Sequence, residues 1–339
     1  MKILIIGIGL MGSSFAMHIK KHQPDIEIHG YDNNPEEIKH AHTLGVYNWL
    51  FGKIDKLEYY DFAFIATPIK PAISLAHKIS SKLPETIISD MCSVKTQICS
   101  ELKNNSNFVG GHPMTGSERK GAISAETEMF DNCLYILSYY IEQQKSAEKL
   151  CSFLKNLNIR VIQMPPEEHD KAVALASHLP YYTALTLTNV FTDFKKYYEV
   201  AGTGFRDTTR VASSPLDMWE EITEFNRQNI LNALTNFKSE LEKTIKNIEE
   251  KTEKKSIENA IKTRKDVLNQ KLYSNAQKSL EINLPDEPGA LVKILSKLEN
   301  INIKNIVIED CREGRTGAVT LFFKNNQEYL KAREILEER

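Results

Sequence analysis

The chain has 339 residues, 41% of them hydrophobic, and a formal net charge of −2. That length suits two or three domains with ordinary buried cores, and the charge excludes the overall basic field that gathers nucleic acid. Five cysteines (Cys92, Cys99, Cys133, Cys151, Cys311) are scattered, odd in number and free of C-x-x-C spacing, which argues against a disulfide framework or a zinc site and for a reducing compartment; no metal is expected.

The N-terminal run Met1-Lys2-Ile3-Leu4-Ile5-Ile6 has one lysine and leads into glycines without a small-residue cleavage site, so it reads as a first β-strand and not a signal peptide. No apolar run reaches membrane-spanning length, and a soluble cytoplasmic protein is expected. Further strands are expected at 26–31, 61–67, 86–90, 108–111, 134–138 and 159–163, with helical stretches near 12–22, 35–44, 70–82, 94–103 and 145–157. Strands alternating with helices imply a parallel sheet covered on both faces, a Rossmann-like α/β domain over 1–165.

Gly7-Ile8-Gly9-Leu10-Met11-Gly12 follows the first strand and opens a helix. Gly7 permits the tight turn, Gly9 lets the backbone approach a pyrophosphate, Gly12 allows close helix packing, and Leu10 and Met11 begin the helix whose free N–H groups receive phosphate. Asp32 lies 20 residues beyond Gly12 (32 − 12), where a carboxylate accepts hydrogen bonds from the ribose hydroxyls and repels a 2′-phosphate. With only Asn33 and Asn34 after it, NAD is favoured over NADP. Thr67-Pro68 either lies along the cofactor or simply ends its strand. Ser93, in Asp90-x-x-Ser93-x-Lys95, sits near the cofactor or caps a helix, and Lys95 attracts phosphate or faces solvent. His112, in Gly110-Gly111-His112-Pro113-Met114, is expected in a loop after the fifth strand; an imidazole that titrates near neutrality beside a dinucleotide suits oxidation of a hydroxyl-bearing carbon.

After Pro165-Pro166 the pattern turns helical, giving an all-α domain over 166–250. Ser214-Pro215-Leu216-Asp217 reads as a helix start, with Ser214 as N-cap and Pro215 at the first helical position. Ile230, Leu234, Phe237, Leu241, Ile245 and Ile248 recur at helical spacing, a stripe that is either core or, as favoured here, partly a subunit interface. The Lys/Glu-rich stretch 251–278 is a charged linker or helix. The tail, 279–339, is a small α+β domain of βαββα pattern.

Together these segments resemble the prephenate/arogenate dehydrogenase family. The resemblance rests on Gly7–Gly12, Asp90-x-x-Ser93-x-Lys95, Gly111-His112-Pro113-Met114-x-Gly116-x-Glu118, His169-Asp170, Ser177-His178-Leu179-Pro180 and Gly204-Phe205-Arg206-Asp207-Thr208-Thr209-Arg210, with Trp219 after it. It implies NAD-dependent oxidative decarboxylation of prephenate in tyrosine biosynthesis. Hydride leaves C4 of the ring as CO2 departs and the ring becomes aromatic. It further implies that His112 takes the proton of the 4-hydroxyl, Ser93 orients His112, and Arg210 binds a substrate carboxylate. Glu118 pairs with that arginine, and His178 and Trp219 belong to the pocket; read by themselves, Trp219 suits core or pocket alike and His178 is a pocket residue with a buried structural histidine as the alternative. Many prephenate-using members carry a second histidine after Leu-Pro, where this chain has Tyr181, which opens arogenate as an alternative substrate. The segment Leu284-Pro285-Asp286-Glu287-Pro288-Gly289-Ala290-Leu291 resembles the signature of an ACT regulatory domain, which implies an amino-acid sensor at Asp286 and Gly289 answering to tyrosine as feedback inhibitor. A homodimer is expected, with no nucleic-acid or membrane partner. Two other readings are a 3-hydroxyacid-type dehydrogenase, which has no need of the His-Pro motif, and a non-catalytic regulator that binds NAD and an amino acid, which has no need of Ser93, His112 and Arg210 together.

Overall fold

The computed structural model describes residues 1–54, 57–117, 119–131, 133–273, 278–285, 287–309, 317–323 and 326–337, in two units, Met1–Ser239 and Glu240–Arg339. The first unit begins with β1 (Lys2–Ile6), α1 (Leu10–His22), β2 (Glu27–Tyr31), α2 (Pro35–Thr43), β3 (Trp49–Phe51), β4 (Phe62–Ile65), α3 (Ile69–Lys82), β5 (Ile87–Asp90), α4 (Thr96–Glu101), β6 (Phe108–Pro113), β7 (Leu134–Ser138), α5 (Gln144–Asn156) and β8 (Arg160–Gln163). The strands form one sheet in the order β3-β2-β1-β4-β5-β6-β7-β8. Along β1, Ile3 and Ile5 enter one core cluster while Leu4 and Ile6 enter the other. Alternate side chains point to opposite faces of a strand, so a strand covered on both faces has to be apolar throughout.

Three features differ from the sequence expectation. The edge strand β3 is too short for its pattern to stand out. β7 runs antiparallel to β6; the link between them carries two short 3₁₀ turns, Ala122–Ser124 and Thr127–Phe130, and an antiparallel partner needs no crossover helix. His112 lies within β6, paired with Ile136, and not in a loop. β6 changes partner part-way: Phe108 and Val109 pair with β5, and residues 110–113 with β7.

Helices follow: α6 (Pro166–Val173), a π-helical turn (Ala174–His178), α7 (Leu179–Thr192), α8 (Thr203–Thr209) and α9 (Leu216–Glu249). Ser214 does not cap α9; its hydroxyl donates to the Val211 carbonyl, and Pro215 supplies the carbonyl that accepts from the Trp219 N–H. α9 breaks helical geometry at Asn226 (φ −124°, ψ 21°). Of the expected stripe, Ile230 is buried, but Phe237, Leu241, Ile245 and Ile248 are 39 to 61% exposed. The stretch read as linker or helix contains α10 (Lys254–Tyr273).

The tail of the second unit runs β9 (Lys278–Leu284), α11 (Ala290–Ser296), β10 (Ile303–Glu309), β11 (Gly317–Phe323) and α12 (Asn326–Glu337). Its strands make an antiparallel sheet with β11 between β10 and β9. Leu284, Ala290, Val319, Leu321, Phe323 and Ala332 form its separate core. Among the described residues, no helix is long and apolar enough to cross a membrane.

Candidate active site

The β1–α1 turn is built so that its outer side stays open. Gly7 has φ +82°, which only glycine adopts without strain. A Cβ on Gly12 would lie 2.0 Å from the Gly7 carbonyl oxygen, whereas one on Gly9 would meet nothing within 4 Å. Gly12 therefore serves the protein's own packing, and Gly9 leaves backbone exposed to whatever docks there. Among the described residues no side chain caps α1, so its first N–H groups are open to an anion. Asp32 closes the turn: Oδ2 accepts from the Ile8 N–H (3.0 Å) and Oδ1 from the Asn34 N–H (2.9 Å). A carboxylate oxygen has a second lone-pair direction, so these bonds leave acceptor capacity for ribose hydroxyls. The turn, the open Gly9 and the carboxylate at the end of β2 fit a dinucleotide.

A cavity of about 970 Å³ opens alongside, lined by Met11, Thr67, Pro68, Ser93, Tyr181 and Trp219 among others. Leu10 is buried and not on its wall. Trp219 stacks on Tyr181 with centroids 3.5 Å apart; it is at once buried core and cavity wall. The cations on the wall are Lys70, which is paired with Glu224, and Arg227. Arg210 is exposed on the turn between α8 and α9 and does not line the cavity. Glu118 lies outside the described residues.

His112, His169 and Asp170, none of which lines the cavity, form a largely buried polar chain that sequence reasoning did not assemble. Asp170, in the second turn of α6, reaches α4 and accepts the Lys95 N–H at Oδ1 (2.7 Å) and the Thr96 N–H at Oδ2 (2.8 Å). Oδ1 also meets His169 Nδ1 (2.8 Å), and His169 Nε2 meets His112 Nδ1 (2.8 Å). The tautomers follow from the carboxylate. Ionised Asp170 only accepts, so His169 Nδ1 carries a proton. A neutral His169 then accepts at Nε2, so His112 Nδ1 donates. His112 Nε2 is left with its lone pair and, among the described residues, no hydrogen-bond partner. That is the configuration of a general base held by an orienting group.

This corrects three expectations. Among the described residues no hydrogen bond joins Ser93 to His112; the side chain that meets His112 is His169. Ser93 does not cap α4 either, because Asp170 does so from 75 positions away. Lys95 neither faces solvent nor waits for phosphate. It is wholly buried and paired with Asp90, whose other oxygen accepts the Gly111 N–H (3.1 Å).

Asn226 extends the chain. At the irregular point of α9 its Nδ2 donates to the Asp170 carbonyl (2.8 Å) and to His178 Nδ1 (3.2 Å). His178 is buried, packs edge-on against Trp219 and does not line the cavity. Burial drives the charges. It lowers His178 to about 4 and holds His112 well below the usual histidine value, with His169 and Lys95 adding to the effect. His169 is likewise lowered by burial, against the pull of Asp170. Burial alone would raise the Asp170 carboxyl, but donors from His169, Thr96 and Lys95 hold it below the ordinary aspartate value. The network at neutral pH is one carboxylate and three uncharged imidazoles.

Both the nucleotide-binding and the helical part of the chain match known proteins. Residues 15–163 match the family model described as prephenate dehydrogenase, nucleotide-binding domain, and residues 165–263 match prephenate dehydrogenase, dimerization domain. The chain is 32% identical to the prephenate dehydrogenase of Lactococcus lactis subsp. cremoris, over 99% of this chain and 97% of that protein. Among solved structures, prephenate dehydrogenase from A. aeolicus in complex with hydroxyphenyl propionate and NAD+ is 29% identical with a TM-score of 0.72, over 79% of this chain and 98% of the other. Synechocystis arogenate dehydrogenase is 25% identical with a TM-score of 0.69, over 80% and 99%.

Two outcomes follow from the geometry. Gly12→Ala is expected to lower stability by ~1–3 kcal/mol through overpacking, whereas Gly9→Ala leaves the melting temperature unchanged and weakens NAD+ binding at least tenfold; chemical denaturation and titration calorimetry separate the two. The second outcome concerns pH. A histidine with a depressed folded pKa binds fewer protons folded than unfolded, so stability is lost as pH falls below the unfolded value of ~6.5. For His178 the loss reaches roughly 3 kcal/mol by pH 4. Urea titrations at pH 7 and 4.5 should show a marked fall in the midpoint, and His178→Asn should diminish it.

Proposed function

The chain belongs to the prephenate dehydrogenase family, and on that premise we propose that it oxidises prephenate with NAD+, decarboxylating it to 4-hydroxyphenylpyruvate. The observation that carries the mechanism is the Asp170–His169–His112 chain, which leaves one uncharged imidazole with a free lone pair. Gly9 and the backbone of Leu10 and Met11 at the head of α1, with Asp32, Thr67 and Pro68, hold NAD+, and Gly7 and Gly12 shape the turn that presents them. When bound there, the cofactor supplies the hydride acceptor. His112 Nε2 takes the proton of the ring 4-hydroxyl as hydride leaves C4, and Nδ1 stays bonded to His169 throughout. The resulting imidazolium is stabilised through His169 by the Asp170 carboxylate. Loss of the ring carboxylate as CO2 makes the ring aromatic, so the protein has chiefly to position the substrate and accept one proton. Ser93, on the cavity wall, contacts substrate or cofactor in this scheme. Trp219 and Tyr181 form an aromatic wall for the ring, and His178 supports Trp219 from behind.

Arg210 and Glu118 keep the roles that the family pattern assigns them, an anchor for a substrate carboxylate and its acidic partner. Arg210 is exposed within a single chain, as are Phe237, Leu241, Ile245 and Ile248. These features, with the dimerization-domain match at 165–263, support a homodimer. Arogenate is the second reading, favoured by Tyr181 where many prephenate-using members have histidine.

The tail is proposed as an ACT-like sensor for tyrosine. Its strand–helix–strand–strand–helix order supports this, as does Gly289 (φ +81°) just before α11, which has no side-chain cap among the described residues. Asp286 lies outside the described residues. The match to the Lactococcus lactis protein spans 99% of this chain and so takes in the tail.

An assay of NADH formation with prephenate, arogenate and 3-hydroxy acids should show prephenate as the preferred substrate, and preference for a 3-hydroxy acid would remove the reading. In the same assay His112→Asn should lower kcat by ~10²–10⁴ with KM little changed, since the amide can hold the hydroxyl but cannot take its proton. A chain ending at residue 278 should lose inhibition by tyrosine while keeping its activity; inhibition that persists would move tyrosine to the active site.

A further inference from the structure

A cluster at the far end of α1 takes no part in this chemistry. His18 and His22 are four residues apart and share one face of the helix. Asp131 follows the second 3₁₀ turn, in the link between β6 and β7. One ligand atom from each of the three lies within 4.8 Å of the others.

His18 is 1% exposed. Its Nε2 donates to the Leu157 carbonyl (2.9 Å), which leaves Nδ1 as a bare lone pair. That atom faces Asp131 Oδ1 at 3.4 Å and has no hydrogen-bond partner among the described residues. Two acceptors thus confront one another across a short gap. His22 Nε2 is also buried and, among the described residues, without a partner. Its Nδ1 lies 3.3 Å from the Asn158 side-chain amide, which can turn its oxygen to receive a proton there. Buried polar atoms without partners are rare and call for a physical account.

A cation satisfies all three at once. We propose that His18, His22 and Asp131 bind a zinc-like divalent cation, with water as fourth ligand. Two imidazoles and a carboxylate are a recognised zinc donor set, with bonds of ~2.0–2.2 Å. Tetrahedral bonds of that length put ligand atoms roughly 3.4 Å apart, the separation already present between His18 and Asp131. The Leu157 carbonyl and Asn158 amide are the outer partners that orient metal-bound imidazoles. Lys21 occupies the other Asp131 oxygen (2.6 Å), which leaves Oδ1 for the metal. The site sits on the last turn of α1, where the helix dipole favours positive charge. Its role is structural: it ties the end of the phosphate-binding helix to the 127–131 turn. Cysteine spacing gave no sign of it, because it uses no cysteine.

The test uses the untagged full chain, stripped with a chelator and titrated with Zn2+ by calorimetry, with Mg2+ as control. One zinc ion per chain should bind with micromolar or tighter affinity and raise the melting temperature. His22→Gln and Asp131→Asn, each checked for folding by circular dichroism and for NAD+-dependent turnover without zinc, should each weaken binding at least tenfold and abolish the thermal shift. No uptake by the wild-type chain at micromolar zinc would overturn the assignment. So would equal affinity and stoichiometry in His22→Gln, or binding that survives there and disappears in His112→Asn, which would place the ion at the active site.

Discussion

The Asp170 carboxylate is the point on which the active site turns. It is almost fully buried, and a buried charge persists only when donors surround it. The donors here are two backbone N–H groups at the start of α4 and one imidazole. The same bonds do two things. They hold α6 against α4, and they set the protonation of His169 and, through it, of His112. Replacing the carboxylate by a group that donates would disturb helix packing and base together.

The rest of the network follows from keeping that single charge satisfied. Asn226 reaches the Asp170 carbonyl because α9 departs from helical geometry at that residue. The irregularity is thus tied to a bond that a regular helix would not be obliged to make. Around the carboxylate the imidazoles are held neutral by burial. An uncharged imidazole is what the proposed proton abstraction needs, and it is reached by withholding water and not by adding anions. The second buried ion pair, Lys95 with Asp90, anchors the Gly111 backbone just before His112. The strand that carries His112 is therefore held both from its neighbour β5 and from α6.

The dinucleotide turn shows a complementary division of labour. Gly7 and Gly12 answer to steric demands inside the protein, while Gly9 answers to space outside it. Asp32 contributes to the turn before it contributes to any ligand, since it accepts the Ile8 N–H. A site whose binding groups already hydrogen-bond one another is pre-organised, and little is lost in ordering it when the cofactor docks.

Much of this was legible in the amino-acid order alone. Apolar runs separated by helical periods announced the parallel strands, and Gly7, Gly9, Gly12 and Asp32 announced the turn, because each signal is carried by neighbours a few residues apart. His112 stood out by its glycine and proline company. What the order could not convey was the partner of that histidine. Ser93 was the nearer candidate in the chain, yet His169 holds His112 from 57 positions away and Asp170 caps α4 from 75. The reversal of β7, the burial of Lys95 and the meeting of His18 with Asp131 belong to the same class. Local hydrogen bonds and periodicity are written in adjacent residues, whereas pairings across layers exist only once packing has excluded water and left each buried polar group with one partner in reach.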